Sequence, residues 1–393
     1  TWDFLTNAAQ MFDRAPELTE ATMADTRKGF DLQGYQWRGY ELQRRLYMSY
    51  RRQVYPQVRC VEHDVQEVRR QASCIDSTAS MYQFRYSVLS DDYRCQINHF
   101  QLRDLIWATS NYDVFYYHAD GVKRWNPWKR TSEFVLSWRQ FPSTFRLSSL
   151  CAGNGVVFTG DYKGRYCVKS LWTGDIASGR LSDGCGDDIA NHAAPCVTRT
   201  GVSQVHVAHN NGFVRQFDLE RLAVTAETPF EWAVNCSAMA PDGSLECVVG
   251  DSTEGLLVDA RASGSGRRAA RLTGHKDYSF ACSFSPDGRL VATGNQDTTV
   301  RVYDVRWPQQ SLAVLGGYLG AMRVVRFSDC GRHLLAAEPA DYVHVYDAVT
   351  LQRAQDIEVM GEISGATFSP DSNCLFMGVS DAIHGNALAE FTS

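Results

Sequence analysis

Four strand-like runs end in the dipeptides Phe217-Asp218, Val258-Asp259, Tyr303-Asp304 and Tyr346-Asp347, and the aspartates are spaced 41, 45 and 43 residues apart. Turn signals keep the same phase: Pro241-Asp242-Gly243, Pro286-Asp287-Gly288, Ser328-Asp329-Cys330-Gly331 and Pro370-Asp371-Ser372 each follow one apolar run and precede another. Proline pre-sets φ for a turn and glycine accepts positive φ, so these are tight turns between antiparallel strands. One full unit shows the pattern best. From Leu290 to Trp307, LVATGNQDTTVRVYDVRW alternates, breaks at Gly294-Asn295-Gln296-Asp297, and alternates again, as a hairpin does.

A period of about 40 to 45 residues with four strands per repeat predicts the blades of a β-propeller. Counting along the chain gives seven, near 97–127, 143–185, 193–229, 232–272, 275–315, 320–358 and 361–393. The fold class expected is all-β, a seven-bladed propeller over 80–393 with a short helical extension over 1–79. The last blade runs out after three strands. Met81 to Val88, MYQFRYSV, alternates as a strand, so residues 80–88 are predicted to close the ring as its outer strand and cover an otherwise open edge.

At TGHKDYSFACSFSPDGRLVATGNQDTTVRVYD the chain resembles a WD-repeat, with Gly274-His275 early and Tyr303-Asp304 in the place of Trp-Asp. The resemblance implies a buried hydrogen-bond relay of His275, Thr293, Asp297 and Tyr303, with Tyr303 where the family has tryptophan. Asp251 and Asp341 stand in the matching turns of other repeats, which lack the Gly-His pair. Across roughly residues 30 to 393 the chain also resembles a group of WD-repeat proteins of plants and fungi. INHFQLRDLIWATSNYDVF, GDSTEGLLVDA, SLAVLGGYLGAMRVVRF and AEPADYVHVYD carry that likeness. It implies a fold and no particular activity.

Chemistry motifs are missing. Gly-Lys never occurs, so no Walker A loop exists, and there is no GxSxG, HExxH or complete GxGxxG. No catalytic residue and no cofactor is expected. Cys60-x-x-His63 with Cys74 lacks a second paired half, so packing is the expected role rather than a metal site. The glycine-serine run ARASGSGRRAAR at 260–271 is expected to be a hairpin tip. None of the 12 cysteines forms a CxxC pair, and several sit in apolar strand patterns where a thiol packs as a small hydrophobe. A reducing compartment, cytoplasmic or nuclear, is expected, with no membrane span or secretory signal. The net charge of −6 argues against a general nucleic-acid binder.

Three features point to partners. From Trp37 to Val54, WRGYELQRRLYMSYRRQV switches to a helical period: Leu42, Leu46, Tyr50 and Val54 recur every four residues, and Arg38, Arg45 and Arg52 every seven, with Arg44 and Arg51 beside them. Either the apolar stripe packs on the propeller and leaves the arginines solvated, or the arginines dock an acidic protein surface, RNA or the ribosome. A second helix is expected over about Val61 to Ala72. The second-to-third-strand turns offer acidic groups at Asp161, Asp251, Glu254, Asp297, Glu338, Asp341 and Asp381, of which Glu254 and Glu338 are candidates to hold a basic peptide. Tyr303-Asp304-Val305-Arg306 resembles the WD-x-Arg box, with which some propellers grip the adaptor of a cullin-RING ubiquitin ligase; the resemblance implies Asp304 and Arg306 as its contacts. A non-enzymatic interaction scaffold is the expected function. A ligase substrate receptor and an RNA- or ribosome-associated factor are the alternatives.

Overall fold

The computed structural model of the protein describes residues 20–21, 23–37, 41–55, 58–77, 79–88, 94–141, 145–182, 188–261, 267–381 and 386–393. Among them are five four-stranded antiparallel sheets, over 106–137, 147–180, 190–229, 234–272 and 279–316, and one eight-stranded sheet. Each four-stranded sheet is a meander of consecutive strands, as short connections and a repeating strand–turn pattern dictate. The first sheet lies later than the repeat count suggests: its fourth strand is Thr131–Ser137, beyond the expected end at 127. That strand has four exposed or half-exposed residues before its first buried one, so its apolar alternation is weak.

The tight turns have one construction. In Ser285-Pro286-Asp287-Gly288, the Ser285 hydroxyl and the Arg289 amide donate to Asp287 Oδ1 at 2.6 and 3.1 Å, and Gly288 sits at φ 70°. In the 369–373 turn the Ser369 hydroxyl and the Asn373 amide donate to Asp371 in the same way, and Ser372 takes the left-handed place at φ 61°. The aspartate side chain holds the loop, and the residue after it must tolerate positive φ.

The first strands of the sheets surround a central channel of about 390 Å³. Four-stranded sheets over 147–180, 190–229, 234–272 and 279–316 share a register shift there, at Ser148, Asn191, Asn235 and Phe280. Three of these residues reach the neighbouring sheet: Ser148 Oγ donates to Ala190 O at 2.8 Å, Asn191 Nδ2 to Val234 O at 2.9 Å, and Asn235 Nδ2 to Ser279 O at 3.1 Å. The extra residue in a bulge turns its side chain out of the ladder, and here it ties sheet to sheet.

The eight-stranded sheet joins the two ends of the chain. Its 15-residue strand Ala354–Phe368 pairs through 354–358 with Ala340–Asp347 and through 362–368 with Cys374–Ser380. Gln83–Val88 pairs antiparallel with Ala387–Thr392, from Gln83 opposite Thr392 to Val88 opposite Leu388. Trp125 and Ile106 of the first sheet pack with Phe376 and Leu388, the Trp125 and Phe376 rings meeting edge to face at 6.1 Å. The strand order and this packing make the molecule a β-propeller.

Among the described residues the α-helices are Met23–Thr26, Glu41–Val54 and Val65–Gln71. The last is shorter than expected and starts where Asp64 caps it, its side chain accepting from Gln66 N. Among the described residues no helix is long and apolar enough to cross a membrane.

Candidate interaction site

The basic helix meets the propeller with its cations, which reverses the packing expected of its apolar stripe. Leu42 and Leu46 are 60% and 59% exposed and Val54 is also exposed, while Tyr47 and Met48 are buried. Arg51 donates from Nε and Nη2 to both carboxylate oxygens of Asp341 at 2.7 Å each. Arg52 Nε donates to the Tyr342 hydroxyl at 2.6 Å, and its guanidinium lies 4.7 and 4.8 Å from the Tyr318 and Tyr342 ring centres. Arg44 Nη1 donates to Glu358 at 2.8 Å. The surface under the helix is acidic and aromatic, so the arginine face gains more there than leucines would. Arg45 is exposed, and Arg38 lies outside the described residues.

From that helix the chain continues as a strap over the end of the propeller that carries the second-to-third-strand turns. Gln296 Nε2 donates to Val58 O at 2.6 Å, and the Cys60 and Val61 amides both donate to the Asp277 carboxylate at 3.1 Å. Ser73 N donates to Val314 O, and Ala354 N to Asp76 O, on the way to Gln83–Val88.

The acids on this end are largely occupied. Asp297 Oδ2 meets His275 Nδ1 at 3.0 Å and accepts the Lys276 amide at 3.0 Å. Its Oδ1 accepts the Thr299 hydroxyl at 2.6 Å, and His275 Nε2 meets Thr293 Oγ1 at 2.8 Å. Burial opposes the charge on Asp297, but His275 and these donors outweigh it and hold the carboxyl down at about 2. Tyr303, buried, donates its hydroxyl to Thr273 O at 2.8 Å, so this tyrosine anchors the strand before the repeat.

Glu338, expected on the rim, is instead fully buried. It accepts the amides of Tyr318, Leu319 and Gly320 at 2.6 to 2.7 Å and meets His344 Nε2 at 2.9 Å. A carboxylate with that many donors has no capacity left for a peptide. Glu254 is half-buried and paired with Arg271 at 2.9 Å. Asp161 is paired with Arg165.

Sequence reasoning missed His344. Its Nδ1 meets Asp356 at 2.7 Å and its Nε2 meets Glu338. Burial disfavours its charge, yet the hydrogen bonds and charges of Asp356 and Glu338 raise it to about 9. The signal was present in Tyr342-Val343-His344-Val345-Tyr346, a polar residue on the inward side of a strand.

Opposite the strap lie the third-to-fourth-strand turns. Trp128, Trp172 and Trp307 sit in this turn of three sheets, over 106–137, 147–180 and 279–316, and are 77%, 82% and 72% exposed. Val349 and Leu222 hold the corresponding turns of two more repeats and are exposed as well. Tyr112, in a first-to-second turn of the same face, stands 6.2 Å from Trp128. Each tryptophan follows its strand by two or three residues, in NPW, SLW and DVRW. Arg306 is beside Trp307, with Nε donating to Asp304 Oδ1 at 2.8 Å and Nη2 to Asp304 Oδ2. That pairing holds the Asp304 carboxyl at about 2.

A closed ring of antiparallel meanders with a His–Asp pair between strands defines a repeat-built β-propeller. The family model described as WD domain, G-beta repeat matches residues 266–304, which makes that unit a WD repeat within the β-propeller. It is 24% identical over 290 residues to an uncharacterized protein of Schizosaccharomyces pombe, covering 71% of this chain and 81% of that protein. It is 29% identical to Pre-mRNA-processing factor 19 homolog 2 of Arabidopsis thaliana over 27% of this chain and 19% of that one. It is 24% identical to Serine-threonine kinase receptor-associated protein of Gallus gallus over 26% of this chain and 29% of that one. The chain spans less than a third of the length of these last two.

Proposed function

We propose that this protein is a non-catalytic scaffold or adaptor subunit of a larger assembly, and that it holds a partner protein on the face opposite the strap. The observation that carries this is the set of three tryptophans, each more than 70% exposed, at equivalent turns of three sheets. Tryptophan is rarely left so open on a monomer and is the residue most enriched where interfaces bind tightly. A rigid disc presenting them needs no chemistry of its own, and the WD repeat at 266–304 supports an interaction role.

Within the same reading, Ala354–Phe368 is one strand shared by two blades, which makes the ring seven-bladed over 80–393 with 1–79 as its extension. The His275, Thr293, Asp297 and Tyr303 group then serves as architecture. Of the candidate arginines among the described residues, Arg306 pairs with Asp304, Arg44, Arg51 and Arg52 are engaged with the propeller, and Arg45 alone is left to serve either alternative. We place the protein in a reducing compartment, cytoplasm or nucleus, since the eleven described cysteines are free thiols.

The test is affinity purification of the full chain, with and without nuclease, beside a variant carrying Trp128→Ala, Trp172→Ala and Trp307→Ala. Exposed substitutions should each leave stability within about 0.5 kcal/mol, while the co-purifying proteins are lost and nuclease changes nothing. Partners that persist in the triple variant, or that vanish with nuclease, would refute the reading.

A further inference from the structure

Arg103 and Arg323 stand where the central channel meets the strap, and both are buried, at 3% and 6% exposure. Each uses one guanidinium nitrogen: Arg103 Nη2 donates to Glu362 Oε1 at 3.0 Å, and Arg323 Nη2 to Gln296 Oε1 at 2.9 Å. The Nε and Nη1 atoms of both are buried without an acceptor. Arg323 forms no ion pair among the described residues: Gln296 is neutral, the Phe280 ring lies 3.9 Å from the guanidinium carbon, and the nearby Asp277 carboxylate accepts the Cys60, Val61 and Tyr278 amides instead. Burial presses Arg323 below the ordinary arginine range against the opposing pull of Tyr55 and Asp277, and Arg103 adds like-charge repulsion.

A buried cation with no carboxylate bonded to it is costly, and native proteins rarely leave several N–H groups of one side chain empty. Both arginines line the channel and a second chamber of about 330 Å³, roofed by Tyr55, Val58, Arg59 and His63 of the strap. Two carboxylates line that chamber, and both are engaged, Asp297 by His275, Thr299 and Lys276 N, and Glu362 by Arg103. Arg59 and Arg69 line it too, both exposed, and add attraction at its opening.

We propose that this chamber binds a phosphate-class oxyanion between Arg103 and Arg323, enclosed by the strap. Four free guanidinium nitrogens on two side chains suit a tetrahedral group with three or four oxygens and more than one negative charge. Nε and Nη1 of one guanidinium point apart and form no fork, so a planar carboxylate would meet one N–H of each arginine, whereas a tetrahedral oxyanion has further oxygens to turn to them. The chamber has room for a small phosphorylated molecule, in the size range of ordinary ligand pockets. This site is independent of the tryptophan face and stands or falls without it.

The test uses the full chain, exchanged into phosphate-free buffer, with inorganic phosphate and pyrophosphate as probes in calorimetry and thermal melts at constant ionic strength. Saturable binding and a raised Tm are expected for the wild type, with pyrophosphate at least as strong as phosphate. Arg323→Gln and Arg103→Gln should each weaken binding at least tenfold, whereas the exposed Arg69→Gln should weaken it less than threefold. In probe-free buffer Arg323→Gln should melt no lower than the wild type, since it removes an unpaired buried charge. No saturable uptake by the wild type at millimolar probe overturns the proposal, and so does unchanged binding by Arg323→Gln. A short glutamate peptide that binds the wild type better than pyrophosphate does would overturn the choice of a phosphate-class ligand.

Discussion

In the sheet over 279–316, Asp297 takes its donors from its own repeat: His275, Lys276 N and Thr299 all lie within 22 residues of it. In the repeat that follows, no Gly-His pair precedes Asp341, and the donor comes from the other end of the chain. Arg51 grips both oxygens of Asp341, and the Gly361 amide adds a third bond at 3.0 Å. The carboxylate is buried in both places, so both need a partner. The difference teaches that a repeat can lose its sequence signature without losing the interaction, provided another segment supplies the charge. That makes the extension a working part of the ring rather than an appendage.

The largest expected effect tests whether the extension belongs to the ring at all. Deleting residues 80–88 removes the strand paired with Ala387–Thr392 and opens an edge; the cooperative thermal transition should disappear, and an unchanged melt would show that the ring closes without it. Next, Arg51→Ala leaves Asp341 charged and buried, so urea denaturation should report a loss of about 3–5 kcal/mol. A loss below that of the next-ranked variants would mean water already serves Asp341.

His344 sharpens the comparison through pH. Its folded pKa, about 9, is above the unfolded value of about 6.5, so its contribution is complete below about pH 6.5 and is lost as pH rises toward 9. Within that window wild-type stability should fall relative to His344→Gln by about 1.4 kcal/mol per pH unit. Denaturation curves of the two proteins that stay parallel with pH would contradict the buried charged triad. His275→Ala should cost about 1–3 kcal/mol by leaving Asp297 and Thr293 short of partners, and a melt equal to the wild type would show that water replaces the ring. Smallest is Arg44→Ala, which breaks a half-exposed pair with Glu358 and should cost no more than about 1 kcal/mol; a larger loss would make Arg44 a second anchor.

What was legible in the sequence follows from range. Tyr303-Asp304 and its neighbours recur in phase because the turn chemistry is local, and His275, Thr293 and Asp297 lie within one repeat. Arg51 and Asp341 are 290 residues apart, and no local pattern joins them. The helical period from Trp37 to Val54 located the helix but misled about its inner face, because leucines at four-residue spacing imply an apolar host, whereas this one offers Asp341, Glu358, Tyr318 and Tyr342. Glu338 looked like a rim acid because alternation does not reveal three backbone amides converging on it. The exposed tryptophans were visible only as letters after a strand, since nothing local distinguishes an open turn from a covered one.

Whether Arg51 of the extension completes the repeat around Asp341 is decided by a double-mutant cycle. Urea denaturation of the wild type, Arg51→Ala, Asp341→Asn and the double variant gives the coupling between the two residues. A coupling of about 2 kcal/mol or more is expected, within the range for contacting groups in one network. Single effects that add to within about 0.5 kcal/mol would show that the two side chains act independently and would contradict it.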